Sequence, residues 1–165
     1  YPAFVPLTHP LASVRGSYNA IYIKGNGIDD AMFYGRGAGS LPTGSSVVSD
    51  IMEVAKNIAF ESTGRFKPFY FDQKNIYSPG KIQSSYYIRL AVDNKTGVLA
   101  KIATKLAEQK ISVLSIVQRN KDPETAVLAI VTSKCPHSYI LNLIDSFNSL
   151  RSVKEVSSVI RIMEA

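Results

Sequence analysis

From residue 86 onward, two hydrophobic periods alternate in an order that leaves few folds open. Residues 86–92 read as a strand. Residues 98–109 place Val98, Leu99, Ile102, Ala103 and Leu106 on one face of a helix. Residues 111–119 return to period two, with Ile111, Val113, Ser115 and Val117 on one face. Residues 120–124 form a polar turn, and residues 125–132 a third strand. Residues 136–150 make a second helix through Ile140, Leu141, Ile144 and Phe147, and residues 153–162 a last strand. The order β-α-β-β-α-β predicts an α+β, ferredoxin-like domain, an antiparallel sheet with both helices on one face.

The first half is less regular. Pro2, Pro6 and Pro10 predict an extended, irregular opening over residues 1–16. Residues 17–24 and 30–34 read as strands joined through Gly25-Asn26-Gly27, hence a β-hairpin. Next come Gly35, Gly37, Gly39 and Gly44, packed between that apolar run and an amphipathic helix over residues 45–60. Val47, Ile51, Val54, Ala55 and Ile58 carry the helix period, Pro42 and Thr43 suit its start, and Gly64 its stop. Glycines bring backbone close to a ligand, and a helix start behind them offers free N–H groups. The turn is therefore a candidate wall for a cofactor or anion. It is not a dinucleotide fingerprint: in G-x-G-x-x-G register the last position is Ser40 counted from Gly35, and Pro42 counted from Gly37. Residues 65–85 read as a linker, with Phe66, Phe69, Tyr70 and Phe71 apolar enough to pack on a domain. The domain reading is 1–64, then the linker 65–85, then 86–165.

Hydrophobic residues at 45% and charged residues at 19% support a real core. The net charge of +6 is scattered, with no three basic residues in a row, so nucleic-acid binding is not expected. No apolar run reaches membrane-spanning length. A single cysteine, Cys135, makes no internal disulfide, and a cytoplasmic location is expected. His137 beside it invites a Cys/His pair, a reading weaker than a plain buried thiol. His9, between Thr8 and Pro10, reads as a turn residue rather than a proton shuttle. Asp29-Asp30 reads as a solvated turn, and no metal-ligand spacing occurs. The opening Tyr1-Pro2 in place of Met suggests a piece of a larger protein.

The stretch Arg89-Leu90-Ala91-Val92-Asp93-Asn94-Lys95-Thr96-Gly97-Val98-Leu99 through Ala103, followed by Ile111 to Gln118, resembles an ACT domain, a family that commonly binds regulatory amino acids. Thr96 stands where many ACT domains have proline. Residue types alone leave two readings. Asp93 and Asn94 cap a helix and Gly97 makes a tight turn, or Asp93 and Asn94 accept from a ligand's ammonium while the helix start binds its carboxylate. The resemblance favours the second. It implies an effector site of Asp93, Asn94, Gly97, Val98 and Leu99, with Ser112, Ser115 and Gln118 from the strand of a partner chain in a dimer.

Upstream, His9-Pro10-Leu11-Ala12-Ser13-Val14, Tyr18-Asn19-Ala20, Gly35-x-Gly37-Ala38-Gly39, Pro42-Thr43 and Val47-Val48-x-Asp50 resemble the C-terminal part of homoserine dehydrogenases. That resemblance implies NADP- or NAD-dependent interconversion of homoserine and aspartate 4-semialdehyde. It also implies that Gly37, Ala38 and Gly39 face the nicotinamide end of the cofactor, and that threonine is the effector. The cofactor-binding Rossmann domain and the substrate lysine of such enzymes are not in this sequence, so no catalytic residue is assigned and the piece alone is expected to be inactive. The alternative is a stand-alone amino-acid sensor.

Overall fold

The computed structural model describes residues 2–62 and 76–163. In chain order its elements are β1 (Ala3–Phe4), β2 (Tyr18–Gly25), β3 (Asp29–Arg36), α1 (Ser40–Ala59), β4 (Gln83–Asp93), α2 (Val98–Glu108), β5 (Val113–Asn120), β6 (Thr125–Thr132), β7 (Cys135–Pro136), α3 (His137–Asn148) and β8 (Val153–Ile162). They fall into two compact units, Leu7–Asn75 and Tyr1–Pro6 with Ile76–Ala165. The expected stop at Gly64 and the packing of Phe66, Phe69, Tyr70 and Phe71 lie outside the described residues.

The larger unit has the expected order and topology. Its sheet runs β1-β8-β4-β6-β5, and the four long strands pair antiparallel. One side of each central strand enters the core. On β4 these are Tyr86, Ile88, Leu90 and Val92; on β6, Ala126, Leu128, Ile130 and Thr132. Val98, Ile102 and Leu106 of α2, with Ile140, Leu143 and Phe147 of α3, complete it. The buried Thr132 hydroxyl accepts from the Tyr86 N–H at 3.0 Å, so it is satisfied within the core.

Two local readings change. The opening is not wholly irregular: Ala3 and Phe4 pair in parallel with Arg161 and Ile162, adding a short strand beyond β8. Residues 111–119 are not one continuous strand face. A bulge between Val113 and Ser115 shifts the register, so Val113 faces Thr132 whereas Ser115 faces Val131. Ser115 and Val117 therefore lie on the sheet face away from the helices. Ile111 is buried ahead of the strand.

In the smaller unit, β2 and β3 form the expected hairpin, from Tyr18↔Arg36 to Gly25↔Asp29. The left-handed residue at its end is Asp29, φ 49°, rather than a glycine; aspartate tolerates that region better than most. α1 starts at Ser40, five residues before its expected start. Pro42 fits the first turn because the N–H it lacks has no partner there; Thr43 N–H makes the bond back to Gly39 at 3.1 Å. α1 buries none of its residues: Val47, Ile51, Val54 and Ile58 are all more than half exposed.

Phe147→Ala should cost about 3–5 kcal/mol and Leu128→Ala about 2–5 kcal/mol by urea unfolding, whereas Ile51→Ala on α1 should cost under about 1 kcal/mol. Equal losses at Phe147 and Ile51 would contradict this placement of the core.

Candidate functional site

Between the end of β4 and the start of α2 lies a cleft of about 340 Å³. Asp93, Asn94, Gly97, Val98 and Leu99 line it, as does Gln118 from β5, over an apolar floor of Val92 and Leu128. The strand end is tied down from both sides. Asp93 N–H donates to Ser152 O and Asn94 N–H to Glu124 O, each at 2.9 Å. The Asn94 side-chain amide donates to Pro123 O at 3.3 Å, which leaves its oxygen as the remaining acceptor. Gly97 takes φ 86°, ψ −10°, left-handed backbone that turns the chain into α2 with no side-chain cap. Lys101 N–H makes the first full helical bond, to Gly97 O. The N–H groups of Leu99 and Ala100 have no backbone acceptor among the described residues. The cleft thus sets carboxylate and amide oxygens beside open N–H donors at a positive helix end.

Neither Ser112 nor Ser115 lines this cleft. The Ser112 carbonyl accepts from Ser133 N–H at 2.9 Å, and the bulge turns Ser115 to the opposite sheet face. A participant that sequence reading missed is Lys154 on β8. Its ammonium lies 3.8 Å from the Asp93 carboxylate and 2.8 Å from the Thr125 hydroxyl. Both members of the pair are partly exposed, so it positions Asp93 more than it stabilises the fold. Its presence follows from the β4–β8 pairing, which no local pattern reveals.

The glycine turn forms a second, more open hollow, lined by Gly37, Ala38, Gly39, Ser40, Thr43, Gly44, Val47 and Val48. One of its glycines is conformationally required: Gly39 takes φ 128°, ψ 144° as the residue before α1. A Cβ on Gly37 would meet only the exposed Asn19 side-chain amide, which can turn aside. Gly35 and Gly44 face open space.

The remaining candidates have structural partners. His9 Nδ1 accepts from Leu11 N–H at 3.2 Å, capping a helical turn at Pro10–Ser13, and its ring packs edge-on to Tyr22. Cys135 is buried with Sγ 3.9 Å from Ser84 O, and burial pushes its thiol pKa up; a raised pKa disfavours the thiolate. The His137 Nδ1 lies 3.0 Å from the Tyr86 hydroxyl. The Asp30 carboxylate beside Tyr22 raises the phenol's pKa. No group of three or more potential metal ligands occurs among the described residues, and none of their helices is long and apolar enough to cross a membrane.

The sheet order, the helices on one face and the cleft at the β4–α2 junction define an ACT-domain protein, and the profile described as ACT domain matches residues 86–150. The profile described as homoserine dehydrogenase matches residues 1–52. Homoserine dehydrogenase of Bacillus subtilis is 36% identical over 166 residues, covering 98% of this chain and 38% of that protein. That of Mycobacterium bovis is 35% identical, with 98% and 38% covered. A solved homoserine dehydrogenase from Thiobacillus denitrificans matches with TM-score 0.78 at 28% identity, over 98% of this chain and 38% of that one. The chain corresponds to a C-terminal part of the homoserine dehydrogenases, ACT domain included, and spans about 38% of the length of these relatives.

Burial and the Arg161 charge hold the His137 pKa below its ordinary value. A histidine lowered in this way destabilises the fold as it protonates. The penalty is absent above the unfolded value of about 6.5 and complete once pH falls below the folded value. The urea midpoint should therefore drop from about pH 7.5 to about pH 5.5, and His137→Gln should flatten that slope. An unchanged slope in the variant would remove His137 from the account.

Proposed function

We propose that this chain is the cofactor-facing end and the regulatory domain of an NAD(P)-dependent homoserine dehydrogenase, which interconverts L-homoserine and L-aspartate 4-semialdehyde. In such an oxidoreductase the protein positions the nicotinamide against the substrate carbonyl, and the cofactor supplies the hydride. Gly37, Ala38 and Gly39 form one wall of that cofactor site. The reading is supported by the match of residues 1–52 and by the glycine that the turn requires at Gly39. The exposed apolar stripe of α1 favours an enzyme part over a stand-alone sensor, because a helix with an unburied face is built to be covered. Without the remaining catalytic elements the chain alone is inactive.

The ACT cleft binds an amino-acid effector, with L-threonine the leading candidate. The observation that carries this is the pairing of Asp93 and Asn94 oxygens with the open N–H groups of Leu99 and Ala100. A zwitterion needs both: acceptors for its ammonium and donors for its carboxylate. Among the described residues, β5 ends the sheet with one edge unpaired. A second copy joining there would form a dimer, close that edge and bring Ser112, just ahead of β5, with Ser115 and Gln118 of β5 to the interface.

L-Threonine in millimolar excess should raise the melting temperature of the chain, with a matching one-site calorimetric isotherm, and Asp93→Ala should abolish both. No response to threonine, isoleucine, methionine or lysine would sink the effector reading. In the complete enzyme, Gly39→Val should raise the cofactor KM about tenfold or more, since it places a side chain at a positive φ on the cofactor wall. Unchanged kinetics would return the turn to a purely structural role.

A further inference from the structure

The face of the ACT sheet that carries no helix holds another cleft, of about 460 Å³, which neither the effector site nor the glycine turn uses. Val117, Val127, Ala129 and Tyr87 form its apolar part, and Arg89, Arg119 and Lys121 its charged part. The sheet register explains the hollow. Ala129 pairs with Arg89 on one side and Val117 on the other, so a methyl group sits where larger side chains would fill the face. Arg119 stands beside Val127, one pair further along. Two strand spacings of about 4.8 Å separate β4 from β5, so the Arg89 and Arg119 backbones are roughly 12 Å apart, close enough for both guanidiniums to reach one ligand over the alanine. Phe4 packs edge-on against Tyr87, ring centroids 5.5 Å apart, and holds the aromatic wall in place.

The three cations are not neutralised from within. Among the described residues no carboxylate lies within ion-pair distance of Arg89, Arg119 or Lys121. Asp122, next in sequence, accepts from Glu124 N–H at 2.9 Å and so closes its own turn. Glu155 on β8 accepts from the Ser157 hydroxyl at 3.0 Å and is not part of the cleft. A second copy packed face to face would set these cations against their own equivalents, which disfavours self-association here. The volume is that of a small-molecule site rather than a flat docking surface.

We propose that this cleft binds a small organic polyanion with a flat or apolar body, of the nucleoside diphosphate class. The ring lies against Tyr87 and the Val117–Ala129 floor, and the phosphates engage Arg89, Arg119 and Lys121. Arginine suits that task because its planar fork meets phosphate oxygens two at a time. The site is separate from the amino-acid cleft, which opens on the helix-bearing side of the sheet through Gln118 and Leu128.

The test is calorimetric titration of the chain with adenosine 5′-diphosphate and, separately, with inorganic pyrophosphate. One-site binding of the nucleotide is expected, weakened about tenfold or more by Arg89→Ala and by Arg119→Ala, and weakened by added salt. Asp93→Ala should leave it unchanged. Pyrophosphate should bind about tenfold more weakly, because it cannot use the apolar floor. Both arginines are exposed, so the variants should melt close to the parent chain, and either one alone suffices for the test. Absence of nucleotide binding, retention of full affinity in an arginine variant that still folds, or equal affinity for pyrophosphate would each overturn the proposal.

Discussion

Strand β4 is the interaction on which the larger unit depends. It is hydrogen-bonded on both sides, to β6 and to β8, and every second residue from Tyr86 to Val92 is buried under the two helices. Hydrophobic burial and ladder bonding therefore act on the same residues, which makes this strand costly to displace. The strand then ends at Asp93, where backbone bonds to Ser152 and Glu124 hold it between two loops. The cleft between β4 and α2 is thus a continuation of the core. The residues that would meet a ligand are rigid because the strand delivering them cannot slide without exposing Ile88 and Leu90.

The unit formed by Leu7–Asn75 is built on another principle. A hairpin and a helix contribute few buried side chains, and Ile21, Phe33, Ile51 and Ile58 are each more than 60% exposed. Two-stranded hairpins and single helices gain most of their stability from packing against something else. The physical incompleteness matches the comparisons, in which the chain aligns along almost its whole length but to only about 38% of each relative. Its glycine turn is nevertheless locally determined. The positive φ at Gly39 disfavours any residue with a side chain there.

Most of the secondary structure was legible along the chain because it rests on periodicity. The spans of β6 and β8 coincide with their expectations, and α2 and α3 differ by one or two residues at their ends. The misplaced features have two causes, one local and one long-range. α1 begins at Ser40 because Pro42, which looks like punctuation, sits in a first turn that tolerates it. β1 exists only through a partner more than 150 residues away, and the β5 bulge only through its pairing with β6. Of the proposed effector residues, Asp93 to Leu99 are consecutive enough to be read as one turn. Ser115 could not be assigned a face without the bulge.

The sequence alone determined the order of strands and helices, the chain's correspondence to a dehydrogenase segment followed by an ACT domain, and the residue types at the β4–α2 turn. The element order is set by local spacing, which a linear pattern carries in full, whereas the correspondence rests on the resemblance of particular motifs. Only the tertiary structure decided that Lys154 stands beside Asp93, that Gln118 lines the β4–α2 cleft of its own chain, and that Arg89, Arg119 and Lys121 share one hollow. Each of those neighbours is created by the register between strands distant in sequence. Register depends on which faces the whole core can bury at once, a property no single segment encodes.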